Sequence, residues 1–178
     1  MCLTGKAKML PRVTARPKTE GLVGKEPPKN VKTGWRAWRL DTATGKLRSS
    51  AQDILWEPKE PMRAGTLQAK QTVQKLVKPR RAEKVAPENR IGVHTVKDAA
   101  TLKKNIDSLF MGGIKISDPN LVVGEVMLWG DVVEHDNGFR AENGYPVTLY
   151  ANTPKTQVKL RELYDCNVSR RFASHVLA

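Results

Sequence analysis

The sequence predicts an α+β fold: a curved, mostly antiparallel sheet, either open or closed into a small barrel, that carries two or three helices. Three observations predict this fold. Short apolar runs alternate with polar residues at period two, a long β-rich run covers residues 121–135, and two capped helical segments lie between strands. The length of 178 residues suits one domain with a tail.

Residues 1–33 are predicted to form a basic, proline-containing flexible arm ahead of a single domain over residues 34–178. Residues 1–34 contain eight basic and two acidic side chains, and prolines at 11, 17, 27 and 28 exclude any long helix. No apolar periodicity would offset the entropy of ordering this segment, so we expect it to bury nothing. Two functions remain open for it: a solvated tail, or an arm that follows phosphates or enters a larger assembly.

The domain begins with a predicted β-hairpin. Residues 35–40 alternate bulky and basic side chains, residues 41–45 have turn chemistry, and residues 46–49 resume the extended pattern. Residues 66–78 then space their apolar side chains as a helix does. Together with the basic linker that follows, this helix makes an insertion at about 66–90.

The second half is predicted to alternate strands and helices. Asp98 is expected to cap a helix, and Gly112 and Gly113 are expected to stop it. Thr153, followed by Pro154, is expected to cap a last helix. The strands around them are predicted at 91–96, at 121–135 (one strand, or two broken at Gly130), at 145–150 and, at an edge, near the C-terminus.

The charge of the chain is divided unevenly. The formal net charge is +13, and residues 1–90 hold all of it, with 21 basic against eight acidic side chains. The remaining residues hold ten of each. Such a division indicates a basic attachment region beside an ordinary domain, and nucleic acid is the commonest acidic partner.

Composition excludes several classes of protein. Two cysteines among 178 residues cannot form a disulfide framework and suit a reducing cytoplasm, that of the host if the protein is viral. No stretch approaches the roughly 20 apolar residues that cross a bilayer, so no membrane partner is expected. Zinc-ligand spacings, phosphate-binding loops and nucleophile elbows are absent, and the sequence predicts no cofactor, no metal and no catalytic residue.

The strongest binding signal is the run of tryptophan and arginine at 35–39. We assign Trp35 and Trp38 to the core, on one strand face with Leu40, rather than to base stacking, and expect the arginines between them to reach phosphates. A second basic stretch lies in the insertion. The predicted nucleic-acid contacts are Arg36, Arg39, Lys75, Lys78, Arg80, Arg81 and Lys84.

A group of acidic residues in the second half offers a different chemistry. Four carboxylates fall around one strand pair, where they could hold Mg²⁺ for phosphodiester cleavage. Because no nuclease signature accompanies them, and because Arg140 is expected to pair with one, we expect a structural role. The four residues are Glu125, Asp131, Glu134 and Glu142.

Several segments together resemble a group of small bacterial and phage proteins. They are GWRAWRL at 34–40, GVH at 92–94 and GEVMLWGDVVEHDNGFRAENGYP at 124–146, where the group has GxRAW, GxHA and GEVxLWGxVxEHxxGYRAExAYP. The resemblance implies no catalytic residue, since no activity is attached to that group. The strand at 121–130 is also similar, in shape only, to the core of PUA-like barrels, small barrels that often bind RNA.

These observations predict a non-enzymatic accessory protein of a phage or mobile element. It is expected to dock on nucleic acid, a ribonucleoprotein or a host protein complex through its basic half. The first alternative is a structural virion component or a stoichiometric inhibitor of a host (defence) protein complex, and the second is a metal-dependent nuclease. Phosphate contacts would give salt-dependent binding, an apolar protein interface would not, and a nuclease would require Mg²⁺.

Overall fold

A computed structural model describes residues 3–14, 17, 27–49, 54–64, 85–87, 91–108 and 114–178 of the chain. Within these residues the fold is α+β, with a curved, mainly antiparallel sheet and three helices, as the sequence predicts. The strands are β1 (Lys8–Met9), β2 (Lys32–Leu40), β3 (Leu47–Ser49), β4 (Leu55–Trp56), β5 (Met62–Arg63), β6 (Val93–Val96), β7 (Leu121–His135), β8 (Gly138–Ala151) and β9 (Asn167–Val168). The helices are α1 (Ala99–Asp107), α2 (Pro154–Leu163) and α3 (Ala173–Val176).

The long β-rich run forms the centre of the sheet. β7 is one continuous strand rather than two, and it pairs antiparallel with β8 through a tight turn. Gly130 does not end β7, but it has φ +79°, and the pairing register shifts between Trp129 and Val132. A side chain at position 130 would collide with Glu142, so this irregularity requires glycine.

Four strands close into a ring of pairings that curves the sheet. β2 pairs with β7 along residues 32–39 and with β6 at Trp35, while β6 and β7 both pair with β8. The predicted hairpin is confirmed as β2 and β3, which extend the sheet to β4. Among the pairings of the described residues, only that of β8 with β9 is parallel.

Both capped helices are confirmed. The Asp98 carboxylate accepts a hydrogen bond from the Thr101 amide at 2.7 Å, and α1 follows. α1 ends at Asp107, and the glycines expected to stop it lie outside the described residues. α2 begins with Pro154, directly after the capping Thr153.

The sheet separates two apolar cores. Alternate residues of β2 and β7 belong to different cores: Trp38 and Val122 to the larger one, Ala37 and Val123 to the smaller one. Alternate side chains of a strand point to opposite faces of a sheet, so the two cores lie on opposite faces. α2 contributes to the larger core and α1 to the smaller one.

The N-terminal segment differs from the arm that the sequence predicts. β1 pairs with the far end of β7, and the Gly130 amide donates to the Val13 carbonyl oxygen at 3.0 Å. Leu10 and Val13 pack against the larger core. The expectation that this segment buries nothing is therefore wrong for residues 3–14. Main-chain pairing with a strand edge holds a segment that has no apolar periodicity of its own.

β1 and β2 lie along the same edge of β7. Val13 is paired with Gly130 and Lys32 with Leu128, so the chain leaves this edge and returns to it two residues further along. Both strands run antiparallel to β7. Side chains of the N-terminal segment and of β2 are thereby brought to one edge of the sheet.

The predicted insertion at 66–90 lies mostly outside the described residues, which include only 85–87 of it. Its helix and most of its linker therefore stay predictions. Of the helices that the structure describes, none has both the length and the apolar character needed to cross a membrane.

Candidate nucleic-acid interface

Arg36, the first predicted phosphate contact, is buried. Its side chain is 8% exposed and donates to the His94 carbonyl oxygen and, at 2.6 Å, to the Ser49 hydroxyl. Its guanidinium carbon lies 5.2 Å from the centroid of the Trp56 ring. Burial lowers the pKa of Arg36 to about 10. Arg36 is a structural cation, and its assignment as a phosphate contact is wrong.

The alternation of β2 explains why Arg36 is buried. Side chains at period two share a face, so Arg36 lies on the face of Trp38, inside the larger core. Trp35 is three residues from Trp38 and therefore lies on the opposite face, with Arg39. The assignment of both tryptophans to one face is wrong: Trp38 is fully buried, whereas Trp35 is half-buried and stacks on Tyr150.

The other predicted contacts have two different outcomes. Arg39 is exposed near the end of β2, and its role as a contact stays a prediction. The remaining five predicted contacts lie outside the described residues, and their role stays a prediction. They are Lys75, Lys78, Arg80, Arg81 and Lys84.

Three lysines that sequence reasoning did not select surround Glu134. The Lys97 Nζ lies 2.9 Å from a Glu134 carboxylate oxygen. The hydrogen bond from Lys97 is the main reason that the pKa of Glu134 is lowered, and the charges of Lys32 and Lys8 lower it further. All three lysines are exposed. Lys8, Lys32 and Lys97 are called the lysine patch below.

The charges of all three lysines act on the same carboxylate, that of Glu134. The members of the lysine patch come from three distant parts of the chain, and the pairing of β1 and β2 with β7 brings two of them together. The Lys97 Nζ also lies 5.6 Å from the centroid of the Phe139 ring. The only sequence signal for this surface was scattered lysines at strand ends, a pattern too common to select residues.

The acidic group predicted from sequence is divided among separate contacts. Arg12 forms ion pairs with Asp131 and, at 2.9 Å, with Glu142. Glu134 is paired with Lys97 of the lysine patch, and Glu125 accepts a hydrogen bond from Thr148. Arg140, expected beside these carboxylates, is buried and donates to main-chain carbonyl oxygens. The cation that pairs with Glu142 is thus Arg12, which sequence reasoning did not select.

The described residues give little support for metal ligation or for a reactive thiol at Cys166. Within the described part of the chain, no three side chains of histidine, cysteine, aspartate or glutamate are grouped so that they could hold a metal ion. Cys166 is a buried free cysteine, and burial raises the pKa of its thiol to about 12. A thiol with so high a pKa is a poor nucleophile at neutral pH.

Comparison with known proteins does not place the chain in a family: no protein-family model, curated protein or solved structure matches it. The candidate interface therefore depends on its own geometry and charge.

Proposed function

We propose that the chain docks on nucleic acid, alone or within a nucleoprotein complex, through basic side chains that contact phosphates. The lysine patch is the observation that carries this proposal. Lys8, Lys32 and Lys97 are exposed, and the charges of all three act on the Glu134 carboxylate. Lysine contacts to phosphate give affinity and orientation without sequence preference.

The distribution of charge supports the same function. The net charge of +13 resides in residues 1–90, which include Lys8 and Lys32. A polyanion relieves the self-repulsion of so basic a region. Arg39 and the five predicted contacts between 75 and 84 stay predicted contacts beside the lysine patch; the five lie outside the described residues.

The proposed function is binding rather than catalysis. A metal-dependent nuclease needs carboxylates that converge on a metal ion. In this chain Asp131 and Glu142 are paired with Arg12, and Glu134 is paired with Lys97. With the resemblance to small bacterial and phage proteins, this arrangement supports an accessory role in a phage or mobile element.

The test is a titration with random-sequence DNA and RNA at two salt concentrations. If six to ten phosphates are contacted, affinity falls by about 10³–10⁵ between 50 and 200 mM salt. Replacing the three lysines of the patch by glutamine is expected to reduce the slope of log affinity against log salt by about 2–3. The melting temperature should change little, because exposed charges contribute little to stability.

The control for this variant replaces Lys104, Lys155 and Lys159 by glutamine. These exposed lysines lie on α1 and α2, so their replacement removes the same charge and should leave the slope nearly unchanged. Equal loss of slope in both variants would mean that the lysine patch is not a specific contact surface. If neither DNA nor RNA binds even at about 50 mM salt, the proposal is wrong, and the basic half serves a protein partner.

A further inference from the structure

One row of side chains across the sheet is open to solvent. Trp35 on β2 lies opposite Glu125 on β7, Glu125 opposite Thr148 on β8, and Thr148 opposite Asn167 on β9. Opposite residues of paired strands share a face, so the four side chains form one row about 14 Å long. All four are half-buried. They are called the open row below.

The adjacent row on the same face is covered. Ala37 and Val123 lie two residues along β2 and β7, and both are buried in the smaller core with side chains of α1. At β2 and β7 the face therefore changes over a single row from covered, apolar residues to half-buried ones, whereas Tyr150 on β8 stays half-exposed in the adjacent row. A surface of this kind, beside a rigid core, is suited to binding a ligand.

An aromatic pair links the open row to the adjacent row: Trp35 belongs to the open row, and Tyr150 lies opposite Val123 in the adjacent one. The rings of Trp35 and Tyr150 stack with centroids 5.8 Å apart and planes 14° apart. Both residues are half-exposed, whereas Trp38, Trp56 and Trp129 are buried. A half-exposed stacked pair offers a flat surface on which a nucleic-acid base can stack.

Glu125 lies beside this aromatic pair. Burial raises the pKa of Glu125, opposed by a hydrogen bond from the Thr148 hydroxyl. Burial also raises the pKa of Tyr150, and the charge of Glu125 raises it further, which places the carboxylate near the Tyr150 ring. None of the ion pairs between described residues involves Glu125. Its carboxylate is thus able to accept hydrogen bonds from a ligand.

A cavity adjoins the open row. It has a volume of about 420 Å³ and lies beside Thr148 and Tyr150, with Arg161 and Asn167 in its wall. This volume is in the range of small-ligand sites. Arg171 is exposed, and its charge lowers the pKa of Tyr150, so a second basic side chain lies near the aromatic pair. The two arginines supply positive charge for the phosphates of a bound nucleotide.

We infer that the open row binds a guanine base of single-stranded nucleic acid, stacked on Trp35 and Tyr150 and donating its N1–H and N2–H groups to Glu125. The two neighbouring donors of guanine match the two oxygens of a carboxylate. Adenine and cytosine place an acceptor nitrogen beside their amino group, and uracil and thymine place carbonyl oxygens on both sides of one N–H. This inference rests on the proposed function and adds a base preference to it.

The test follows tryptophan fluorescence during titration with a short oligouridine that contains one guanosine. Because the other three tryptophans are buried, a stacked base should quench mainly Trp35. At about 0.5 M salt, phosphate contacts are screened and stacking persists. Replacing the guanosine by adenosine is expected to weaken binding by about tenfold, and replacing it by an abasic unit is expected to remove the quenching.

Three variants test which residues cause the guanosine preference and the quenching. Glu125→Gln is nearly isosteric and should abolish the preference for guanosine over adenosine while quenching by either base persists. Trp35→Leu, followed by the anisotropy of a labelled oligonucleotide, should weaken binding by about tenfold. Glu60→Gln is the control: it removes an exposed carboxylate that belongs to neither the open row nor the lysine patch, and it should leave the base preference unchanged.

The outcomes separate this inference from the proposed function. A guanosine preference that only Glu125→Gln removes supports the inference. Salt-dependent oligonucleotide binding without quenching of Trp35 overturns the inference and leaves the proposed function standing. Quenching by guanosine monophosphate, with no salt-dependent oligonucleotide binding, overturns the proposed function and leaves a guanine site. The absence of both binding and quenching overturns both.

Discussion

The two faces of β2 place the same residue types in different surroundings. On one face, Arg36 and Trp38 are buried in the larger core. On the other, Trp35 and Arg39 keep contact with solvent, and Trp35 lies opposite the half-buried Glu125. Residue type therefore does not decide the role of these side chains. Their role depends on which of them are buried by the elements that pack on each face of β2. Substitutions on the two faces should separate stability from binding.

The largest expected effect is the loss of stability when the buried Trp38 is replaced. Trp38→Ala removes a fully buried ring that packs edge-on against Trp56, with centroids 5.2 Å apart. Loss of a buried tryptophan side chain is expected to lower the free energy of unfolding by about 3–5 kcal/mol. The measurement is urea denaturation, with the m-value checked for a change in the unfolded state.

Trp35→Ala is the comparison variant for Trp38→Ala. Its half-exposed ring loses less buried surface, so the free energy of unfolding should fall by less than about 2 kcal/mol. Equal destabilisation by the two substitutions would contradict the contrast between the faces and place Trp35 in the core.

Replacing Arg36 should likewise destabilise the protein more than replacing Arg39. Arg36→Glu places a carboxylate in a buried site where the His94 carbonyl oxygen already accepts a hydrogen bond. Burying an unpaired charge beside an acceptor is expected to lower the free energy of unfolding by more than about 3 kcal/mol. Arg39→Glu, on the exposed face, should change it by less than about 1 kcal/mol. A thermal melt of both variants measures the difference, and equal melting temperatures would show that Arg36 is not a structural cation.

The smallest expected effect is a pH dependence of the guanosine preference at the open row. The guanosine preference requires the ionised carboxylate of Glu125, and burial raises its pKa above the ordinary value. Glu125 therefore takes up its proton at a higher pH than an exposed glutamate, and the preference should decline as the pH falls toward that pKa. The measurement is the ratio of guanosine to adenosine affinity between about pH 7 and pH 4.

The same pKa shift also predicts the direction in which the free energy of unfolding changes with pH. Because the folded state binds the Glu125 proton more tightly than the unfolded state, this group contributes stability below its ordinary pKa, and the contribution is lost as the pH rises through the raised pKa. Glu125→Gln should lack this dependence. A stability difference between the two proteins that is independent of pH would show that Glu125 is not in the environment described.

Most of the secondary structure could be predicted because its signals are local. The turn at 41–45, the capping residues Asp98 and Thr153, and the β-rich run at 121–135 act on neighbouring residues, and all are present in the structure. The continuity of β7 across Gly130 was left open by the sequence. It follows from pairing with β8 on both sides of the irregularity.

The candidate site was predictable only in part. Period two is sufficient to place Trp35 and Trp38 on opposite faces, so their assignment to one face was an avoidable error. Which side chains of each face are covered could not be read from β2, because the helices that contribute to the two cores, α1 and α2, lie far away in sequence. The burial of Arg36 follows from that cover and from Trp56, 20 residues along the chain.

The sequence by itself determined the charge of the chain, its uneven distribution and most of its secondary structure, since these depend on composition and on neighbours. Only the tertiary structure decided which side chains meet. The lysine patch exists because β1 and β2 occupy one edge of β7, and the open row exists because four strands pair in one register. Both depend on hydrogen bonds between strands that are far apart in the sequence. The local pattern of one strand does not show which distant strand it pairs with.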